Sequence, residues 1–349
     1  MKTNKVGPEA ASSWKGPTVA EIARAARVGT STVDRVLNGR DSVREATRLK
    51  VMDALASFGG APKASRAPEG AVRRIAFITD SGISYNRTLE EAVLAAAARN
   101  PGIATPFTAV PTSEVDPAKL SHDIERAAAE ADGLVVVARE NLSINRALRT
   151  VSDRGCPVVC LTTDLPNSGR VAYVGSDQAS AGATAAYLMG QIAGGKPGKV
   201  LLVFSAPYRC QEERELGFRR VLRSEFTNLD VDERLNSHDD NEQSYSNIMA
   251  YLAEHGAPAG VYNPVAGNLG IGRALAESGL GGKTVFIGHE LNANSRMLME
   301  QGLMHFAIGH DVEREVELAI EIITARLDGR PLPPAPPMRV RVYTKYSCN

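Results

Sequence analysis

Residues 17–59 read PTVAEIARAARVGTSTVDRVLNGRDSVREATRLKVMDALASFG, and their apolar spacing describes three short helices in succession. Thr18-Val-Ala-Glu21 has the spacing of a capping box: the Thr hydroxyl takes the backbone N–H three residues on, and the Glu reaches back. Val19, Ile22, Ala23 and Ala26 then fall on one helical face, and small Ala25 and Ala26 let a second helix come close. Gly29-Thr30-Ser31-Thr32 supplies a turn and a new helix start, after which Val33, Val36 and Leu37 repeat at helical spacing. Asn38-Gly39 ends that helix with a pair tolerant of the left-handed conformation. Val43 through Phe58 forms a third amphipathic helix on Val51, Ala54, Leu55 and Phe58. Two helices joined by a tight turn, with a third behind them, make a helix-turn-helix.

On either side the pattern changes. Residues 1–16 are polar and patternless, and are expected to be a disordered extension. Residues 60–72, rich in Gly, Pro and Ala, read as a linker. From Arg73 onward short β runs alternate with helical stretches. The strands are RIAFIT (74–79), GLVVV (133–137), PVVCL (157–161), KVLLVF (199–204), GVY (260–262), TVFIG (284–288) and HFAIG (305–309). Alanine-rich helices run over Leu89–Arg99, Asp123–Ala131 and Gln178–Ile192. Such alternation predicts parallel sheets with right-handed crossovers, and residues 73–343 are long enough for two doubly wound lobes. The fold expected is an all-α head followed by a two-lobed α/β body.

The net charge of zero hides an asymmetry. Residues 1–66 hold 12 Lys/Arg against 6 Asp/Glu, and the remainder carries a balancing −6. A basic head on an acidic body points to a polyanion that meets the head alone. A hydrophobic content of 43% with 23% charged residues is that of a globular protein. No run approaches the roughly 18 apolar residues of a membrane span. MKTNKVGPEAASSWKG has no apolar core of a secretory signal, so a cytoplasmic chain is expected. Cys156, Cys160, Cys210 and Cys348 show no metal-site spacing and read as reduced thiols, three of them packed in the body.

The stretch 17–59 resembles the DNA-binding head of the lac repressor/galactose repressor family, in its TVAEIA opening, its TVDRVLNG second helix and its TRLKVMDA third helix. The resemblance implies that the second helix enters the major groove of operator DNA. Carried over position by position, Thr30 and Ser31 would face bases, and Arg35 would reach a guanine edge or a phosphate. Thr18, Thr32 and Asn38 would anchor phosphates. Arg27 stands where the family usually has its turn glycine, and Gly29 where it usually has a capping serine. Many members also wedge a leucine from a hinge helix into the minor groove. Residues 59–70 contain no Leu and include Pro62 and Pro68, so no such wedge is expected.

The body resembles the periplasmic sugar-binding fold fused to such regulators, through residues 157–188, RELGF (214–218), VYNPVAGNLGIGRAL (261–275) and FIGHEL (286–291). In that fold the ligand sits between the lobes, where crevices open at the C-terminal ends of strands. The resemblance implies a small carbohydrate or polyol effector, held by Asp164, Arg214, Asn263, Glu290 and His310, with Arg139 and Asn86 as weaker candidates. Glu290 replaces the Asp common in the family, and His310 a usual Gln. Asp177 is read as the cap of the helix starting at Gln178. Paired heads would match a pseudo-palindromic double-stranded site, so a homodimer is expected.

Two glycine clusters are near-misses. Gly190–Pro197 lacks the Ser/Thr of a phosphate loop, and Gly267–Gly272 has its glycines out of register for a dinucleotide fingerprint. No catalytic triad, metal cluster or cofactor motif appears. The expectation is therefore a repressor-type regulator with no enzymatic activity and no cofactor. The alternatives are a sugar-modifying enzyme or a solute-binding protein on the same body.

Overall fold

The computed structural model of the chain describes residues 19–37, 43, 47, 50, 51, 54 and 72–348. The roles expected of Thr18 and Asn38, the extension 1–16 and the linker up to residue 71 lie outside the described residues. The chain divides into two compact units, Met1–Ser65 and Arg66–Asn349.

In the first unit, helix α1 (Val19–Ala26) and helix α2 (Thr30–Leu37) close on Ile22, Ala23, Ala26, Val33 and Val36. Thr47, Lys50, Val51 and Ala54 are helical, and Val51 and Ala54 are buried in the same core. α1 ends in paired bonds, Arg27 N–H to Arg24 O (3.3 Å) and Val28 N–H to Ala23 O (3.0 Å), which put residue 27 at the left-handed position of a Schellman turn. Arg27 takes it at φ 52°, so the turn keeps its usual geometry without the usual glycine.

The second unit has two lobes. In the N-terminal lobe, β1 (Arg73–Ser81) is flanked on one edge by β2 (Ile103–Ala104) and then β3 (Phe107–Pro111), and on the other by β4 (Gly133–Val137). β5 (Val158–Leu161) and β6 (Ala172–Val174) extend the sheet, and every pairing is parallel. Helices α3 (Ile83–Arg99), α4 (Pro117–Ala129) and α5 (Leu142–Asp153) connect the strands. In the C-terminal lobe the strand order is β12-β11-β10-β9-β7-β8. These strands are β7 (Gly198–Phe204), β8 (Leu229–Asn236), β9 (Gly260–Asn263), β10 (Val285–His289), β11 (Phe306–Gly309) and β12 (Arg341–Tyr343). Its helices are α6 (Gln178–Ala193), α7 (Arg209–Glu225), α8 (Asn241–His255), α9 (Asn268–Glu277) and α10 (Ala293–Glu300).

Both sheets bury apolar side chains on both faces, as parallel sheets do. In the N-terminal lobe Ile75, Phe77 and Val135 meet α3 on one face, while Ile78, Leu134 and Val136 meet α4 and α5 on the other. The last helix, α11 (Val312–Leu327), follows the last central strand of the C-terminal lobe yet packs Val316, Ala319 and Ile323 into the N-terminal core. The chain therefore crosses between lobes three times: at residues 175–177, at 310–311, and over 328–340. Two of the crossings are tied together, Met338 N–H donating to Gly175 O at 2.9 Å.

One expectation needs correction. β12 runs antiparallel to β11, because the chain re-enters the C-terminal lobe from its last crossing along the sheet's free edge. Five strands went unread, and each has a local reason. β3 is closed in by Pro106 and Pro111, β8 (LDVDERLN) is an edge strand rich in charge, and β2, β6 and β12 span two or three residues each.

A reciprocal pair of glycines sets the α6–α7 contact. A Cβ at Gly182 would sit 1.8 Å from the Arg214 carbonyl oxygen, and one at Gly217 would sit 1.9 Å from that of Ala179. The two backbones touch only because neither position has a side chain, and this contact carries Arg214 to the lobe interface.

Candidate functional site

The C-terminal ends of both sheets face a cleft between the lobes, about 590 Å³ of empty space that is partly open to solvent. Its walls are residues at or just past the ends of several strands and the first turns of the helices that follow. Ser81, Gly82 and Tyr85 come from the end of β1 and the start of α3. Thr162 and Thr163 follow β5, Tyr208 and Cys210 flank the start of α7, and Glu290 follows β10.

At one side of the cleft six residues form a closed polar ring. Arg214 Nε donates to Gln178 Oε1 (2.7 Å), and Gln178 Nε2 donates to the Thr162 carbonyl oxygen (3.0 Å). The Thr162 hydroxyl donates to Glu315 Oε2 (3.2 Å), whose Oε1 lies 2.8 Å from His310 Nδ1. His310 Nε2 lies 3.3 Å from Glu290 Oε1, and that oxygen is 3.7 Å from Arg214 Nη2. Both His310 contacts pair the imidazole with a carboxylate, one on each ring nitrogen. The ring draws on α7, α6, the ends of β5 and β10, a lobe crossing and α11.

Burial alone would drive the proton off His310, but Glu315 and Glu290 outweigh it and hold the imidazole charged well above its usual range. Burial would likewise raise Glu290, and His310 and Arg214 reverse this to hold the carboxyl below its ordinary value. Next in the chain, His289 has no such partner. Burial, then the Arg214 and His310 charges, push it well below its usual range, and its Nε2 contacts Tyr262 Oη at 2.9 Å.

Backbone strain collects here. Thr162, a β-branched residue, holds φ 60°, and Glu290 holds φ 67°. Thr162 is clamped by its N–H to Val174 O (2.8 Å) and by two donors on its carbonyl, Gln178 Nε2 and Tyr173 Oη. Glu290 is held by its N–H to Ile308 O (2.8 Å) and by Ser295 Oγ on its carbonyl (2.7 Å). Such clamping is what keeps a strained residue aimed in one direction. Arg214 Nη1 is also bound, to Pro264 O at 2.8 Å, so Nη2, beside Glu290, is the nitrogen left for the cleft.

Of the residues expected to hold an effector, the structure brings Arg214 and Glu290 onto the cleft wall, with His310 directly behind. Asn263 is fully buried at the end of β9, where it donates to Asn268 Oδ1 (2.6 Å) and so orients a residue that does line the cleft. The other three are placed elsewhere. Asp164 is bound in two places by the Arg170 guanidinium and is absent from the wall; the turn at Thr162 spends the strand end two residues earlier. Asn86 is a buried brace, accepting from Thr79 Oγ1 (2.8 Å) and donating to Ser81 O (3.0 Å). Arg139 is committed to Asp80 through Nε (2.6 Å) and Nη2 (2.8 Å). Asp177 caps α6, accepting from Ser180 N–H at 2.9 Å.

Sequence reasoning missed Thr162, Gln178, Tyr85, Tyr208 and Glu315. Thr162 had a signal, being the first residue after a legible strand. Glu315 had none, because an acid in the first turn of a helix is commonplace. Cys210 was read only as a packed thiol, and it is both buried and part of the cleft wall.

In the first unit, Thr30, Ser31 and Arg35 are exposed on α2, and Thr32 is half-buried beside them. Thr32 N–H also bonds Gly29 O at 2.9 Å, so the helix starts on backbone contacts at the site of the missing serine.

Comparison with known proteins bears on both units. Residues 75–331 match the family described as periplasmic binding protein domain, and residues 18–62 match bacterial regulatory proteins of the lacI family. No curated protein matches the chain in sequence. Among solved structures, a glucose-galactose binding protein, GanP, from Geobacillus stearothermophilus is similar at 20% identity, with 79% of this chain and 98% of that one covered and a TM-score of 0.71. An Agrobacterium vitis ABC transporter solute binding protein with bound D-fucose gives 20% identity, coverage of 78% and 96%, and a TM-score of 0.72. A carbohydrate transporter solute binding protein from Agrobacterium radiobacter, in complex with D-arabinose, gives 17% identity, coverage of 79% and 95%, and a TM-score of 0.73. At these identities the likeness is one of fold. Among the described residues no helix is long and apolar enough to cross a membrane.

Proposed function

The chain belongs to the periplasmic binding protein domain family and has a head of the lacI regulatory family, and on that footing we propose that it is a cytoplasmic transcriptional repressor whose operator affinity is set by a small sugar or polyol. The observation that supports the effector half is the Arg214–Glu290 pair on the cleft wall. It sets a donor edge beside an acceptor carboxylate, which is what adjacent hydroxyls need, inside a cleft from which closure excludes water. Support for the DNA half is the exposed row Thr30, Ser31 and Arg35 on the second helix of a helix-turn-helix. Binding is favoured over catalysis because the charged groups of the ring are neutralised by one another, leaving none poised as a free acid or base.

In this reading the protein is a homodimer that sets two heads on a pseudo-palindromic operator. Effector occupancy changes lobe closure, and through it the spacing of the paired bodies. The test is a thermal-shift screen of pentoses, hexoses and polyols on the full chain, followed by operator titration with the compound that stabilises most. A ligand at a hundred times its dissociation constant adds ~2.7 kcal/mol, well within reach of such a screen. A flat screen, or a stabilising sugar that leaves operator affinity unmoved, overturns the proposal.

A further inference from the structure

Away from the ring, a second set of contacts crosses between the lobes. Asp80, at the end of β1, is fully buried and gripped by the Arg139 guanidinium from the end of β4. The Oδ1 of this carboxylate accepts a 2.5 Å hydrogen bond from Tyr208 Oη of the opposite lobe. Arg139 also donates to the carbonyl of Thr112 (2.9 Å), just past β3, and the Thr112 hydroxyl donates across the gap to Asp239 Oδ2 (2.7 Å). Glu140 N–H completes the set, donating to Pro207 O at 3.2 Å. His238 and Asp239 hold φ 49° and 60°, a strained reversal that aims the Asp239 carboxylate at Thr112. The lobes meet closely here, for a Cβ at Gly82 would come within 2.8 Å of Ala266 Cβ.

We infer that Asp80, Arg139, Thr112 and Tyr208 form a latch that holds the two lobes closed and so determines how tightly the cleft retains whatever it binds. Asp80, Arg139 and Thr112 do not line the cleft, so they act as positioning residues. The Asp80–Arg139 pair lies within one lobe and survives opening. What opening breaks is the two cross-lobe bonds onto carboxylates, which are stronger than neutral ones, with the weaker contacts of Tyr208 Oη to Thr112 Oγ1 (3.1 Å) and Arg139 Nη2 (3.4 Å) and the Glu140–Pro207 backbone bond. A protein whose binding-competent form is only partly populated binds its ligand more weakly in proportion to that fraction. The latch raises the fraction with protein atoms alone, so the inference goes beyond the proposed function and stands whichever molecule the cleft takes.

The test is residue-resolved amide hydrogen exchange on the full chain, without added small molecules, comparing the parent with Tyr208→Phe, Thr112→Val and the double variant. The Glu140 amide is itself bonded across the gap and reports opening directly. It is expected to exchange about tenfold faster in each single variant, and faster still in the double, while β4 and β9 keep their protection. Tyr251→Phe removes a phenol–carboxylate bond of the same kind within one lobe (Tyr251 Oη to Asp232, 2.7 Å) and should leave Glu140 unchanged. Unaltered Glu140 exchange in the latch variants, equal loss of protection through β4 and β9, or the same acceleration in Tyr251→Phe would each overturn the latch.

Discussion

The imidazole of His310 stands 2.8 Å from Glu315 Oε1, and this contact joins a lobe crossing to the helix that packs into the opposite lobe. Because Glu290 touches the other ring nitrogen, a group on the cleft wall is one residue away from the body of the N-terminal lobe. The ring thus links a side chain on the cleft wall to a helix packed into the N-terminal lobe.

His310 and His289 predict opposite pH limbs. The folded pKa of His310 is raised, so its contribution is complete below the unfolded value of 6.5 and is lost as pH climbs through the folded value. That of His289 is depressed, so stability is lost as pH falls below 6.5, where the unfolded chain takes up a proton the folded one refuses. Each limb has a limiting slope of ~1.4 kcal/mol per pH unit. Urea unfolding from pH 5 to 9 should show His310→Gln flattening the alkaline limb and His289→Gln the acid one. Slopes indistinguishable from the parent would mean neither shift exists.

Arg214→Ala should weaken effector binding about tenfold or more, since it leaves the ligand's hydroxyl without a donor at ~1–3 kcal/mol. Asp164→Ala should leave it unchanged, because Asp164 serves Arg170. Isothermal titration of both variants with the sugar found by screening decides this. A loss on Asp164→Ala equal to that on Arg214→Ala would move the site.

Gly182→Ala drives a methyl into the Arg214 carbonyl, so α7 must shift, at ~1–3 kcal/mol of overpacking. The displaced guanidinium should also cost effector affinity. Gly102, with no atom within 4 Å of its Cβ position, is the control and should be near neutral. Chemical denaturation of the two variants gives the comparison.

Arg35→Ala should lower affinity for a selected operator by ~1–3 kcal/mol and much less for random duplex, as expected of a base-edge contact. Fluorescence anisotropy at several salt concentrations measures it. An equal loss on both DNAs, with a shallower salt slope, would reassign Arg35 to a phosphate.

What the sequence determined by itself is whatever depends on local periodicity. The helix-turn-helix spacing, the buried central strands and the α/β alternation follow from apolar runs that only one period fits, and β4 matched residue for residue over Gly133–Val137. The strand end after TVFIG points to Glu290, whereas Arg214, inside a helix, is singled out only by the resemblance of RELGF. Everything that needs two distant segments was left to tertiary structure. Glu315, 153 residues beyond Thr162, reads as an ordinary surface acid until α11 crosses back into the N-terminal lobe and buries it against His310. Arg139 reads as a cleft cation until Asp80 folds beneath it, and Asp164 until Arg170 turns onto it. A charged side chain at a strand end is drawn equally to a ligand and to a counter-charge, and only the packed chain determines which stands within 3 Å.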